Sequence, residues 1–182
     1  MRFLPTALPE VVVVEPDIHR DGRGYFLETW RADAFAAAGL PAAFVQDNLS
    51  GSSRGTLRGL HAQRLRPQGK LVRVVSGEIF DIAVDLRRGS KTFLRHVAVA
   101  LSGENARACY IPPGFAHGFC VLSDFAEVEY KVTAPYDPAD ELRILWNDPE
   151  IGIAWPVRDP ILSEKDRAAM PVRDLRTLSF GV

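Results

Sequence analysis

His61 in RGLHAQ, Lys70 in GKLVRVV, His117 in IPPGFAHGF and Tyr130 in EYKVTAPYDP are the residues whose types and settings suit chemistry. A neutral histidine can take a proton, a lysine ammonium can steady a developing oxyanion, and a tyrosine can give a proton back. The set suits proton transfer at a carbon beside a carbonyl. A histidine base with a pKa of about 6.5 faces a far weaker carbon acid, and a gap of roughly ten units corresponds to about 14 kcal/mol. Enolate stabilisation has to close most of that gap, which a lysine aimed at the oxyanion in a water-poor cavity can do. Inversion of a stereocentre further requires a group that protonates the opposite face, and a buried tyrosine is a competent acid for it.

Other chemistries find less support. PPGFAHGF fits the P-x-G-x-x-H pattern of the second cupin motif, whose histidine often binds a metal. The first motif should then supply an H-x-H pair, but His61 is followed by Ala62 and Gln63, and His19, His61, His96 and His117 show no other ligand spacing. No metal site is expected. The phosphate-binding patterns G-x-x-x-x-G-K-[ST] and G-x-G-x-x-G and the nucleophile elbow G-x-S-x-G are absent. An anionic ligand would be met by discrete cations instead, and Arg23, Arg54, Arg58, Arg64, Arg66, Lys70 and Arg73 crowd the strongest motifs, with Arg64 and Arg66 read as solvated strand edge.

The elements that must position these residues are strands. Apolar and β-branched runs recur at 11–15, 24–29, 70–76, 78–86, 95–101, 119–122 and 127–133, separated by turn residues such as Asp21-Gly22, Ser76-Gly77 and Pro112-Pro113-Gly114. Short strands at this spacing predict an all-β barrel or sandwich. Residues 31–38 read as a helix stopped by Gly39, and a second short helix follows Ser163. Alternation along 127–133 puts Tyr130 on one face with Val128 and Val132, pointing inward, where a plain core tyrosine with a satisfied hydroxyl is the competing reading. In a regular strand Leu57, Gly59 and His61 share a face and Arg58 points away, whereas a bulge near Gly59 would bring Arg58 and His61 to one site.

At 182 residues with 47% hydrophobic side chains the chain suits one domain over 1–182. Twenty-two basic against 23 acidic residues leave a net charge of -1, so no global field gathers nucleic acid or an anionic membrane. No apolar run approaches the roughly 18 residues of a membrane span, and a cytoplasmic location is expected. Cys109 and Cys120 read as reduced core residues.

Nearly the whole chain, from about Val11 to Asp166, closely resembles the dTDP-4-dehydrorhamnose 3,5-epimerase family. The resemblance is carried by DGRGYFLETW, QDNLSGSSRGTLRGLHAQ, GKLVRVVSGEIFDIAVDLRRGSKTF, LSGENARACYIPPGFAHGFCVLSD, EYKVTAPYDPADE, LWNDPEIGIAWP and LSEKD. It implies a cupin-type β-barrel or jelly roll with a few short peripheral helices, and a metal-free, cofactor-independent isomerase acting on a nucleotide-linked 4-keto-6-deoxy sugar. It makes His61 the base, with Asp166 as its carboxylate partner, Lys70 the enolate-stabilising group and Tyr130 the acid. Arg23, Glu28, Gln46, Asp47, Asn48, Arg58, His117, Glu141 and Lys165 fall on positions that contact the nucleotide sugar in relatives, and Asp81 with His117 forms a candidate supporting pair. A homodimer is implied, in which Arg23 and Glu28 complete the neighbouring subunit's site. Ala62 and Pro135 depart from the larger, often aromatic residues of relatives, and both are expected to trim the substrate cavity. Inversion at both C3 and C5 is the leading reading; inversion at one carbon only, a non-catalytic nucleotide-sugar-binding cupin and a metal-dependent cupin enzyme are the alternatives.

Overall fold

The computed structural model describes residues 1–175. Strands β1 (Arg2–Pro5), β2 (Val12–Glu15), β3 (Ile18–Asp21) and β4 (Gly24–Leu27) precede helix α1 (Ala32–Ala37). Then come β5 (Gln46–Ser53), β6 (Leu57–Gln63), β7 (Lys70–Ser76), β8 (Glu78–Asp85) and β9 (His96–Ser102). The strands end with β10 (Ala108–Ile111), β11 (Phe115–Val121), β12 (Phe125–Val132) and β13 (Glu141–Arg143), followed by helices α2 (Glu164–Arg167) and α3 (Val172–Leu175). No helix among the described residues is long and apolar enough to cross a membrane. The single-domain expectation ran over 1–182, of which 176–182 lie outside the described residues.

Antiparallel pairing builds a six-stranded sheet, β1-β2-β10-β7-β12-β5, and a five-stranded sheet, β13-β6-β11-β8-β9, with β3 and β4 forming a separate hairpin. The two large sheets face each other as a cupin-like jelly roll. Val72, Val74, Cys109, Ile111 and Val128 of the first meet Ile79, Ala83, Phe115 and Phe119 of the second in a shared core. The second sheet is also covered on its outer side, where Leu60, Ile82, Val84 and Ala116 pack against Ile144, Ile151 and Trp155. Burial on both faces explains the nearly unbroken apolar run of β8. Helix α1 inserts Phe35, with Trp30 and Phe44 beside it, against Val14, Leu71 and Tyr110 on the back of the first sheet.

The expected helix over 31–38 is α1, ended at Gly39, whose φ of 74° a side chain would disfavour. The second is α2, capped by Ser163 Oγ, which accepts from the Asp166 amide at 3.1 Å. Strand β11 begins at Phe115, earlier than the expected 119–122, and β1, β3, β5, β6, β10 and β13 had no counterpart among the expected runs. Strand β5, QDNLSGSS, was illegible because its text is polar: it is an edge strand with alternating exposure, one row of side chains facing solvent and the other a cavity. Both cysteines are free and buried, and burial pushes the Cys109 thiol well up and the Cys120 thiol up.

Candidate active site

The cavity between the sheets, ≈ 360 Å³, draws its walls from both of them. From the six-stranded sheet come Gln46, Asn48 and Ser50 of β5, Lys70 of β7 and Tyr130 of β12; from the five-stranded sheet come Arg58 and His61 of β6, His117 of β11 and Glu141 of β13.

His61 reaches the cavity with Arg58 because β6 carries a bulge. His117 pairs with His61 and Phe119 with Arg58, so Gly59 and Leu60 together oppose Gly118 alone. The extra residue resets the alternation, and Arg58 and His61 both line the cavity. Only glycine suits the bulge: at φ 133° a Cβ on Gly59 would stand 2.6 Å from Gly118 Cα and 2.9 Å from the His117 carbonyl oxygen. Arg58 is steadied by donating from Nε to Ser52 Oγ at 3.0 Å.

Helix α2 supplies the partner of the base. His61 Nε2–H donates to Asp166 Oδ1 at 2.5 Å, and Ser163 Oγ–H donates to Asp166 Oδ2 at 2.9 Å. A carboxylate in this place fixes the ring and leaves the lone pair on Nδ1. Burial works against ionisation of Asp166, but the hydrogen bond and charge of His61, the Ser163 hydroxyl and the positive charge of Arg143 outweigh it and hold the carboxyl below its usual range. A second pair is wholly buried: His117 Nε2–H donates to Asp81 Oδ1 at 2.6 Å.

Lys70 is buried, and its Nζ donates to the His61 carbonyl at 3.3 Å. Desolvation brings its pKa down to about 8, against the opposing pull of Glu141 and Asp81. An ammonium in so dry a place, near its own pKa, is sensitive to any new negative charge. Tyr130 stands on the other sheet from His61, with Val128 and Val132 buried on the same strand face. Burial raises its phenol, the Arg58 charge draws it back and Glu141 raises it further. Glu141 is held at Oε2 by the Tyr136 hydroxyl, which donates at 3.1 Å, and by an ion pair with Arg143.

Four of the expected ligand-contact residues lie elsewhere, or beside the cavity. Asp47 points to the opposite face of β5 from Gln46 and Asn48 and pairs with Lys131 at 2.8 Å, as strand alternation requires. Arg23 is exposed and pairs with Asp21 at the tip of the β3–β4 hairpin, and Glu28 pairs with Arg31. Lys165 lines an adjoining cleft with Arg58, His61, Glu141, Arg143 and Asp166. Ala62 lines the cavity as expected, but Pro135 is exposed outside it, its carbonyl accepting from Gln63 Nε2 at 3.3 Å. Trimming by Pro135 is therefore corrected. Ser50, Gln63, Gln68 and Tyr136 line the cavity without having been singled out. Alternation from Gln46 through Asn48 to Ser50 was a signal for the first; no local signal marks the two glutamines, which bind the carbonyls of Pro135 and Ala134 across the fold.

The family model for dTDP-4-dehydrorhamnose 3,5-epimerase matches residues 5–174. A dTDP-4-dehydrorhamnose 3,5-epimerase from Methanothermobacter thermautotrophicus is 53% identical over 176 residues, covering 95% of this chain and 95% of its own. One from Pseudomonas aeruginosa is also 53% identical over 176 residues, covering 96% of this chain and 97% of its own. The crystal structure of a dTDP-6-deoxy-D-glucose-3,5-epimerase from Legionella pneumophila, in complex with dTDP-4-keto-L-rhamnose, superposes with a TM-score of 0.92 at 47% identity, covering 94% of this chain and 93% of that one.

Proposed function

Given that the chain belongs to the dTDP-4-dehydrorhamnose 3,5-epimerase family, and is thus an isomerase, we propose that it inverts C3 and C5 of dTDP-4-keto-6-deoxy-D-glucose to give dTDP-4-keto-L-rhamnose. The observation that carries the reading is the placement of His61, backed by Asp166, and Tyr130 on opposing sheets of one cavity, with Lys70 buried in the same cavity.

In this reading His61 Nδ1 removes the proton from a carbon flanking the C4 ketone. The electron pair of the broken C–H bond moves into the C–C bond and onto the ketone oxygen, where the Lys70 ammonium stabilises the enolate. Tyr130 then donates its phenolic proton to the same carbon from the other side, and the electron pair returns from oxygen to form the new C–H bond. Arg58, whose charge already favours the ionised phenol, supports the phenolate left behind. Exchange with solvent restores both groups, and the same steps at the second carbon complete the reaction. No redox cofactor is called for by this sequence, because the substrate brings its own ketone. Asp166 holds the imidazole, Asp81 orients His117 in the wall, and Gln46, Asn48, Arg58, Glu141 and Lys165 contact the nucleotide sugar.

Arg23 and Glu28 serve a second copy in this reading. The β3–β4 hairpin leaves Tyr25 and Phe26 62% and 72% exposed, and Leu49 and Val75 are also exposed on the outer face of the first sheet. Apolar surface of this kind favours a homodimer, which sedimentation would detect as twice the chain mass.

Proton NMR of dTDP-4-keto-6-deoxyglucose with the protein in deuterated water tests the function. Deuterium at both C3 and C5, with rhamnose formed by a coupled reductase, is the expected result. Deuterium at one carbon makes the protein a mono-epimerase, and none at either rejects the substrate.

A further inference from the structure

We propose that Arg143 is a positioning residue of this site: it grips Glu141 from behind the cavity and supplies the cation that offsets the two acids, Glu141 and Asp166, between which it stands. The inference rests on the proton-transfer reading above. Three observations carry it. Arg143 lies directly across from His61 in the β13–β6 pairing, so its place is fixed by the same ladder that fixes the base. Its guanidinium is ion-paired with Glu141, whose Oε2 also accepts from the Tyr136 hydroxyl, so that this carboxylate, which lines the cavity, is clamped by two donors. Finally, Arg143 lines the adjoining cleft with Asp166 and Lys165 but does not line the cavity itself. From there it acts through its neighbours Glu141 and Asp166.

The charge arrangement shows why such a cation is needed. Around the cavity and the cleft lie Asp81 on β8, Glu141 on β13 and Asp166 on α2, against Lys70 on β7, Arg58 on β6, Lys165 on α2 and Arg143 on β13. Among the described residues, His61, His117, Tyr130 and Tyr136 complete the titratable groups in contact with this space. Glu141 acts on both Lys70 and Tyr130, raising the proton affinity of each, and Arg143 acts on Asp166 in the opposite sense. With Arg143 gone, the Glu141 charge is felt more fully by Lys70, and the Asp166–His61 pair takes up a proton more readily. Both changes move proton affinity upward.

The test compares wild type with Arg143→Met and Arg143→Lys, and uses Arg143→Gln if the methionine variant loses its folded spectrum. The kcat/KM profile of Arg143→Met is expected to move to higher pH on both limbs by roughly half to one unit. At a pH well below the acid midpoint the rate then falls by about three- to tenfold. Arg143→Lys should return both limbs most of the way. Carbon NMR titration of Lys70 Cε and Asp166 Cγ gives the same comparison without substrate, and both midpoints should rise in the methionine variant. Unmoved midpoints, or a uniform loss of rate with unmoved limbs, would overturn the inference and leave Arg143 a structural residue. Failure of wild type to exchange deuterium would reject the function instead, while the NMR midpoints still decide the role of Arg143.

Discussion

At the residue scale, the proposed division of labour among His61, Lys70 and Tyr130 is argued from what surrounds each. In the proposed reaction the His61–Asp166 contact puts proton removal on one sheet, and the half-buried phenol of Tyr130 puts delivery on the other. His61→Asn should therefore lower deuterium exchange at C3 and C5 by about a hundredfold or more, with binding still measurable by calorimetry; retained exchange would remove His61 from the role of base. Tyr130→Phe should slow inversion more than exchange, and equal loss of both would contradict its part as acid. Lys70 predicts the alkaline side of the pH profile. Its pKa is depressed to about 8 by burial, so the ammonium is largely intact at neutral pH and is lost as pH rises through that value. Glu141 opposes the depression, so Glu141→Gln should bring the alkaline limb of kcat/KM to lower pH, and a limb that stays put would argue against Lys70 as the group responsible.

The decisive element is β6, because its bulge converts an ordinary strand into one that presents both Arg58 and His61 to one cavity. Gly59→Ala forces a Cβ into the backbone of β11 at a φ that side chains rarely adopt. Strain and overpacking there should cost roughly 2–4 kcal/mol, readable as a lowered denaturant midpoint. The variant should also lose activity beyond any loss of folded protein, because Arg58 and His61 are no longer in step. Full specific activity in the folded fraction would show that the bulge is not what aligns them. The dipeptide Arg58-Gly59 was visible in the sequence, but its register against Gly118 was not, since a register belongs to two strands and is written in neither.

Across the whole molecule, a buried carboxylate ties the start of the chain to the end of β8. Asp85 accepts from Arg87, whose guanidinium also pairs with Glu10 and lies 4.7 Å from the centroid of the Phe115 ring. Burial raises the Asp85 carboxyl, but hydrogen bonds from Arg87, Ser90 and Thr92 overcome it and bring the pKa to about 2. A carboxyl lowered on folding stabilises the native state above its unfolded pKa, near 4, and that contribution is lost as pH falls through about 2. The amount at stake is about 2 kcal/mol. Asp85→Asn should flatten the decline in melting temperature between pH 4 and pH 2, measured by circular dichroism, and an unchanged slope would place the acid sensitivity elsewhere.

The all-β class, the two helices and the inward face of Tyr130 could be read from the chain because turn residues, caps and two-residue alternation act over a few neighbours. His61, Lys70 and Tyr130 were legible as residue types for the same local reason, and the long shared motifs added the family. Tertiary structure decided the remainder. It brought Asp166 from 105 positions away to within 2.5 Å of His61, turned Asp47 and Pro135 out of the cavity, and set Arg143 across from the base. Those outcomes depend on which strands pair, in what register, and which edges close over the cavity. Such contacts join residues far apart in the chain, and local sequence preference carries no term for them.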